Sequence, residues 1–539
     1  MIPKSLVKVI AVLAVAVVIL GGCAVPQASV VPQPEVAEEM HEFSGEEYEH
    51  GIEEIISVGA EIRDELVIVV PSMPVSLDPI SSHDNGSVLV RNQIFDSLIS
   101  LNPVTQELEP GLAVSWEMED AWTVHMELRR GVYFHNGNRF TASDVQFTFN
   151  RLLEAPLTRA IVEMIEYIEI HDDYNITIHL NEPFVPILNI FAANSSRIVN
   201  ERAVLEMGDR FHERPIGTGP FKFEEILLGD RVILTRNDNF WGETSALREM
   251  TFRVIPEQAN RFIEVETGNA DIAIMVAPSD IPRAEATDGI TLHRTPSFSY
   301  TYIGFNMQSY PLADIRVRHA INHALNTEAI AMTAFSGTGS PATGPLSSLS
   351  LFSVDVEPFE FDVERALELM AQAGYSEGFR LSVATNAGNQ VRADIAEMVQ
   401  NQLRAINIDV TIDIYEHAIF LERTAAGYHD MFVFGTTPAN PDPNTLLYSM
   451  FHSSMFGAPG NRMFYYNPEV DRLLHMGRAE LDKAVRAQMY ADVQHLIRDD
   501  APQVFLHQGE EIHISRSNVR NFSATANGVH RFWQIYFEE

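Results

Sequence analysis

Residues 362–415 confine this chain to an α/β architecture. Asp362 stands where a helix N-cap belongs, an amphipathic run follows through Met370, and Gly374 closes it. "RLSVAT" at 380–385 reads as a strand, 391–405 as a helix, and "INIDVTIDIY" at 406–415 as a second strand. Ile408, Val410, Ile412 and Ile414 fall on one side of that strand. Strand, helix, strand at this spacing is a βαβ unit, hence a parallel pair joined by a right-handed crossover.

The first half of the chain mixes sheet types. "ELVIVVP" at 65–71 is continuously apolar, as expected of a strand buried on both faces. "WTVHMELRRGVYF" at 122–134 and "NITIHL" at 175–180 alternate instead, which marks half-buried strands. "FTASDVQFTFNRLL", from Phe140, opens a helix: Thr141 and Asp144 form a capping-box pattern, and Val145, Phe149 and Leu152 share a face. A chain of 539 residues exceeds what one core organises, so two or more lobes are expected.

Net charge −37 argues against nucleic acid and against anionic lipid surfaces, both of which call for a basic face. Cys23 is the one cysteine, so neither an internal disulfide nor a cysteine metal cluster is available.

Cys23 ends an address-like segment. "MIPKSLVKVIAVLAVAVVILGGCAV" has Lys4 and Lys8 before an apolar run at 9–20, short for a membrane span. The "LGGC" that follows resembles a bacterial lipobox, which implies cleavage of residues 1–22 and lipid on the Cys23 thiol. The alternative is an uncleaved membrane anchor; either way the remainder faces the outside of a membrane. Residues 23–60 read as a tether: Pro26, Pro32 and Pro34 come first, then glutamates crowd 35–54 without Lys or Arg.

Several segments, in order, resemble one family, the extracytoplasmic solute-binding proteins of peptide-type ABC transporters (oligopeptide, dipeptide and nickel binders, solute-binding family 5). They are "LEPGLAVSWEMEDAWTVHMELRRGVYFHNGNRFTASDVQFTFNRL" (108–152), "PIGTGPFKFEEILLGDRVILTRNDNFWG" (215–242), "ETGNADIA" (266–273) and "YIGFNMQSYPLADIRVRHAINHALN" (302–326). The resemblance covers the chain from about Glu65 onward.

It implies a two-lobed, type II periplasmic-binding-protein-like α/β fold. Lobe one is expected over 61–299 and 506–539, with an inserted subdomain near 84–200, and lobe two over 300–505. Two chain crossings, near 300–306 and 504–508, would form the hinge. The implied role is to capture a peptide or other small solute and deliver it to a permease driven by ATPase subunits, as a monomer, without cofactor or metal. A nickel chelate or another small organic ligand is the alternative, and a secreted hydrolase the outsider.

In the resembled peptide binders an aspartate of lobe two pairs with the peptide α-ammonium, in a W-[ST]-x-D-x-x-[DE]-P loop. The matching stretch here is "TTPANPDP" (436–443): Asp442 and Pro443 fit the last pair, but the aromatic falls on Thr436 and the aspartate on Ala439. Thr436, Thr437, Ala439 and Asp442 are therefore the expected lobe-two contacts. Three readings stay open: a ligand without a free amine there, Asp442 as the substitute carboxylate, or a register shifted across the prolines. From lobe one, "SSHDNGS" (81–87) matches the ligand-facing loop, with His83, Asp84 and Asn85 as candidates. Turn chemistry accounts for these residues equally well.

Other motifs carry less. Gly217, Gly219 and Pro220 lack the G-K-[ST] of a phosphate loop and read as a structural turn. His319 and His323 share a helix face without the glutamate of H-E-x-x-H. The folded part offers no cysteine nucleophile. The aromatic runs at 461–467 and 530–537 read as core, with Tyr465 and Tyr466 as minor candidates.

Overall fold

The structure, a computed structural model, describes residues 63–538 except 439, 527 and 529. The apolar leader, Cys23, the acidic tether and Ala439 lie outside the described residues. Among those described, no helix is long and apolar enough to cross a membrane.

A mixed sheet of eleven strands is the frame. Its main path runs Ile408–Tyr415, Phe379–Asn386, Met431–Thr436, Ile290–Phe305, Gln503–Arg516, Ile272–Ala273, Glu65–Val70, Glu249–Val254, Arg231–Arg236 and Phe221–Leu227. Phe379–Asn386 and Ile408–Tyr415 pair in parallel along their whole length, with the helix Gln390–Leu403 as crossover. Ile408 and Val410 are buried against that helix, but Ile412 is half-buried and Ile414 exposed. This is an edge strand, and its far end runs past the layer that covers it.

Glu65–Val70 pairs in parallel with both Glu249–Val254 and Ile272–Ala273, so its apolar run fills the middle of the sheet. A separate antiparallel sheet, Ala113–Asp120, Thr123–Leu128, Asn175–Leu180 and Ile165–Asp172, packs its alternate residues under the helix Ala142–Glu154. The Thr141 N–H donates to the Asp144 carboxylate at 3.0 Å and starts that helix.

The two long antiparallel strands, Ile290–Phe305 and Gln503–Arg516, pass from one lobe to the other. Ile512 and Ile514 pack with Val69, Phe262 and Ala273, whereas Val504 and Leu506 pack with Ile303, Leu381 and Val433. Their pairing breaks register between Pro296 and Tyr300, where proline has no N–H for the ladder.

Gly217 and Gly219 are a close-approach turn. A Cβ on Gly217 would lie 2.0 Å from the Ile94 carbonyl oxygen, and one on Gly219 2.6 Å from the Ile94 carbonyl carbon. The Gly219 N–H donates to Ile94 O at 2.9 Å. Only glycine lets this loop clamp the C-terminal end of the helix Asn85–Ile94, and that helix reaches the cavity described next.

Candidate ligand site

A cavity of about 610 Å³ opens between the lobes. Asn85, Val88 and Arg91 approach from the helix Asn85–Ile94, and Glu182, Phe184 and Asn194 from the stretch that follows the strand Asn175–Leu180. Thr437, Pro438 and Asn440 of the proline loop face them, with Asn444 and Tyr448 of the helix Pro443–Phe451 and with Arg478. The lobes touch at its rim. Val185 N–H donates to Arg478 O at 2.7 Å, Arg478 Nη2 to Glu182 Oε1 at 3.0 Å, and Asn189 Nδ2 to Asp442 Oδ2 at 3.3 Å. The Arg478 guanidinium is sandwiched between the rings of Phe184 and Tyr448, 4.8 and 4.3 Å from their centroids.

The residues expected from the sequence take different places. His83, Asn85 and Thr437 line the cavity. Burial, then the neighbouring Arg91, hold the His83 imidazole below its usual range. Asp84 is the N-cap of the helix Asn85–Ile94: its carboxylate accepts from Ser87 N at 2.9 Å and Ser87 Oγ at 2.5 Å. Its pKa is lowered, because hydrogen bonds from Ser82 and Ser87 outweigh the effect of burial. Thr436 ends the strand Met431–Thr436, opposite Tyr300.

Asp442 is fully buried and already engaged. Arg486 Nη1 and Nη2 donate to its two carboxylate oxygens at 2.9 and 2.8 Å, and its Oδ1 caps the helix by accepting from Asn444 N at 3.0 Å. Burial opposes the Arg486 charge, but the Asp442 carboxylate outweighs it and the guanidinium pKa is raised. A carboxylate committed in this way is not free to receive a ligand ammonium.

Tyr465 is buried and donates to Asp500 Oδ2 at 2.6 Å, while Tyr466 is exposed. His319 Nε2 and His323 Nδ1 sit 2.7 Å from the main-chain oxygens of Asp499 and Glu360, with Phe359 packed against both rings.

Sequence reading missed Arg91 and Arg478. Arg91 is 1% exposed. Its Nη1 donates to Asp78 O at 3.1 Å, while Nε and Nη2 meet no acceptor among the described residues. Burial pulls its pKa down to about 10, against the nearby carboxylates of Asp84 and Asp78. One arginine in a helix has no sequence signal that separates it from a surface charge; the break in the apolar face at Arg91 is the only hint.

Two α/β lobes sharing a pair of long strands, with a ligand-sized cavity between them, define a two-lobed solute-binding protein. The profile of "Bacterial extracellular solute-binding proteins, family 5 Middle" matches residues 107–458. The chain belongs to this family. It is 25% identical over 489 residues to the dipeptide-binding protein of Escherichia coli K12, covering 85% of this chain and 91% of that one. It is 28% identical over 485 residues to the oligopeptide-binding protein AppA of Bacillus subtilis 168, covering 82% and 86%. The solved periplasmic binding protein DppA of Helicobacter pylori, in complex with the peptide STSA, superposes with a TM-score of 0.74 at 28% identity, over 89% of this chain and 99% of that one.

Proposed function

We propose that this chain is the solute-receiving subunit of an ABC importer, that it takes up peptides outside the membrane, and that it passes them to a permease driven by ATPase subunits. The observation that carries this reading is the cavity built half from each lobe. A ligand bridging both walls favours the closed arrangement in proportion to its contacts with the two sides. The paired strands Ile290–Phe305 and Gln503–Arg516, interrupted at Pro296–Tyr300, supply the hinge. Lobe one is then 61–299 with 506–539, and lobe two 300–505. His83, Asn85 and Thr437 contact the ligand, and the protein does no chemistry on it. A lipid on Cys23 and the acidic tether keep the folded part, a monomer, at the outer face of the membrane.

A second reading, a non-peptide solute, is favoured by the engagement of Asp442 with Arg486, which leaves that carboxylate unavailable to a peptide amine. A thermal-shift screen over di- to octapeptides, nickel chelates and small organic acids separates the two, because a ligand that binds only the native state raises the melting temperature. Shifts with peptides are expected. A shift with another class and none with peptides overturns the peptide assignment.

A further inference from the structure

Arg478 stands at the end of the helix Pro468–Ala479, and it joins two separate cores. Val470, Leu473 and Leu474 of that helix pack with Leu447 and Tyr490, and Tyr448 lies against them. Phe184 packs instead with Ile176, Ile178 and Leu180 of the four-stranded sheet. Glu182 and Arg478 are 296 positions apart in the chain.

Three kinds of contact meet at this residue. Arg478 Nη2 donates to Glu182 Oε1 at 3.0 Å, and the arginine side chain is 13% exposed, so the pair is partly withdrawn from water. Its guanidinium lies between the Phe184 ring of one core and the Tyr448 ring of the other, an arrangement that suits a flat, delocalised cation. A helix also leaves its last carbonyls without partners of its own, and the Arg478 carbonyl accepts the Val185 N–H at 2.7 Å. The helix end is held from behind, where Arg486 Nε donates to Gly477 O at 2.8 Å. The same Arg486 grips Asp442, which accepts from Asn189 Nδ2 at 3.3 Å. All of these bonds join atoms of the chain itself, so they stabilise the closed arrangement whatever the cavity receives.

We propose that Arg478 is a closure latch: by holding Glu182 and Phe184 it biases the two walls of the cavity toward closure on its own account. A solute then adds its contacts to an equilibrium already shifted. The inference rests on the two-walled cavity and not on the identity of the solute.

The segment Glu182–Pro186 contains its own reporter. Pro183 and Pro186 have no N–H, which leaves Phe184 and Val185 as neighbouring amides with different partners. Phe184 N–H donates to Ala121 O at 2.9 Å within its own body, and Val185 N–H donates across to Arg478 O. Replacing the Arg478 side chain leaves that carbonyl in place, so faster exchange at Val185 reads separation of the walls and not loss of the acceptor.

Hydrogen–deuterium exchange, resolved to single amides by fragmentation, is measured on the purified full chain without added solute. In the wild type, Val185 should exchange at least about tenfold more slowly than an unfolded chain. Arg478→Ala should speed Val185 by about tenfold and leave Phe184 unchanged, with Arg478→Lys between the two. Glu182→Ala, at a side chain that is 43% exposed, should act in the same direction and serves where Arg478→Ala does not fold. An unprotected Val185 in the wild type overturns the proposal, and so does a rate that neither variant changes. Equal acceleration of Val185 and Phe184 shows a loosened body in place of a released latch and overturns it too. Because no ligand enters the measurement, failure of the latch leaves the solute-binding reading standing, and failure of every peptide to bind leaves the latch standing.

Discussion

Arg486 holds Asp442 through two parallel hydrogen bonds of 2.9 and 2.8 Å, with both side chains buried. This pair explains the proline-rich loop before the helix Pro443–Phe451. Asn440 Oδ1 accepts from Asp442 N and Thr445 Oγ1, both at 3.0 Å, and the Pro441 carbonyl accepts from Leu351 N at 2.8 Å. The loop is a wall anchored from behind.

Asp442→Ala leaves the Arg486 guanidinium buried and unpaired. Loss of about 3–5 kcal/mol is expected in urea unfolding. Were Asp442 instead a ligand contact, the substitution would lower affinity with little change in stability, and the unfolding midpoint distinguishes these results.

Gly217→Ala puts a methyl group 2.0 Å from the Ile94 carbonyl oxygen, with backbone on both sides of the clash. Overpacking of this kind costs about 1–3 kcal/mol. Because the turn clamps the helix that carries Arg91, ligand affinity should fall as well. Unchanged melting temperature and affinity together would show that this contact does not position the helix.

Acid should weaken the fold well above the carboxylate range. Burial pushes His530 down to about 4, as it does His135 and His429, and holds His513 well below its ordinary range. His513 and His530 stack edge to face at 5.0 Å, with Phe522 and Phe532 beside them. A depressed histidine binds its proton more readily in the unfolded chain. Its contribution is therefore complete above pH 6.5 and is lost as pH falls from there toward about 4, at about 1.4 kcal/mol per pKa unit. Urea midpoints should fall steadily between pH 7 and pH 5. A flat profile over that window would contradict the buried-histidine account.

Ala439→Asp places a carboxylate where the family loop carries one, at a position outside the described residues. Peptides with a free amine should gain roughly tenfold in affinity, about 1.4 kcal/mol, while their N-acetyl counterparts should not. Calorimetry on matched peptide pairs checks this. Equal gains for both forms would mean that position 439 does not face the amine.

Much of the frame was legible from local pattern. The βαβ unit at 380–415, and the helix before it, announced themselves through caps, apolar spacing and β-branched runs, which depend on near neighbours alone. The G-T-G-P turn was legible as structural, and its contact with Ile94 supplies the reason. Ile408, Val410, Ile412 and Ile414 share one side of their strand as the alternation predicts, but alternation says nothing of how far the covering layer extends, and Ile414 is exposed.

The site was less legible. Which residues of "SSHDNGS" lie at the cavity depends on the helix that the segment starts: His83 and Asn85 line the cavity, while Asp84 turns back to cap. The sequence by itself determined the family resemblance, the α/β alternation and the departure at Ala439. Only the tertiary structure decided that Asp442 is committed to Arg486 and that Arg478 pairs with Glu182. Asp442 and Arg486 are 44 positions apart, and Glu182 and Arg478 are 296 apart. Charge pairing across such separations is set by how the lobes pack, and no local spacing rule records it.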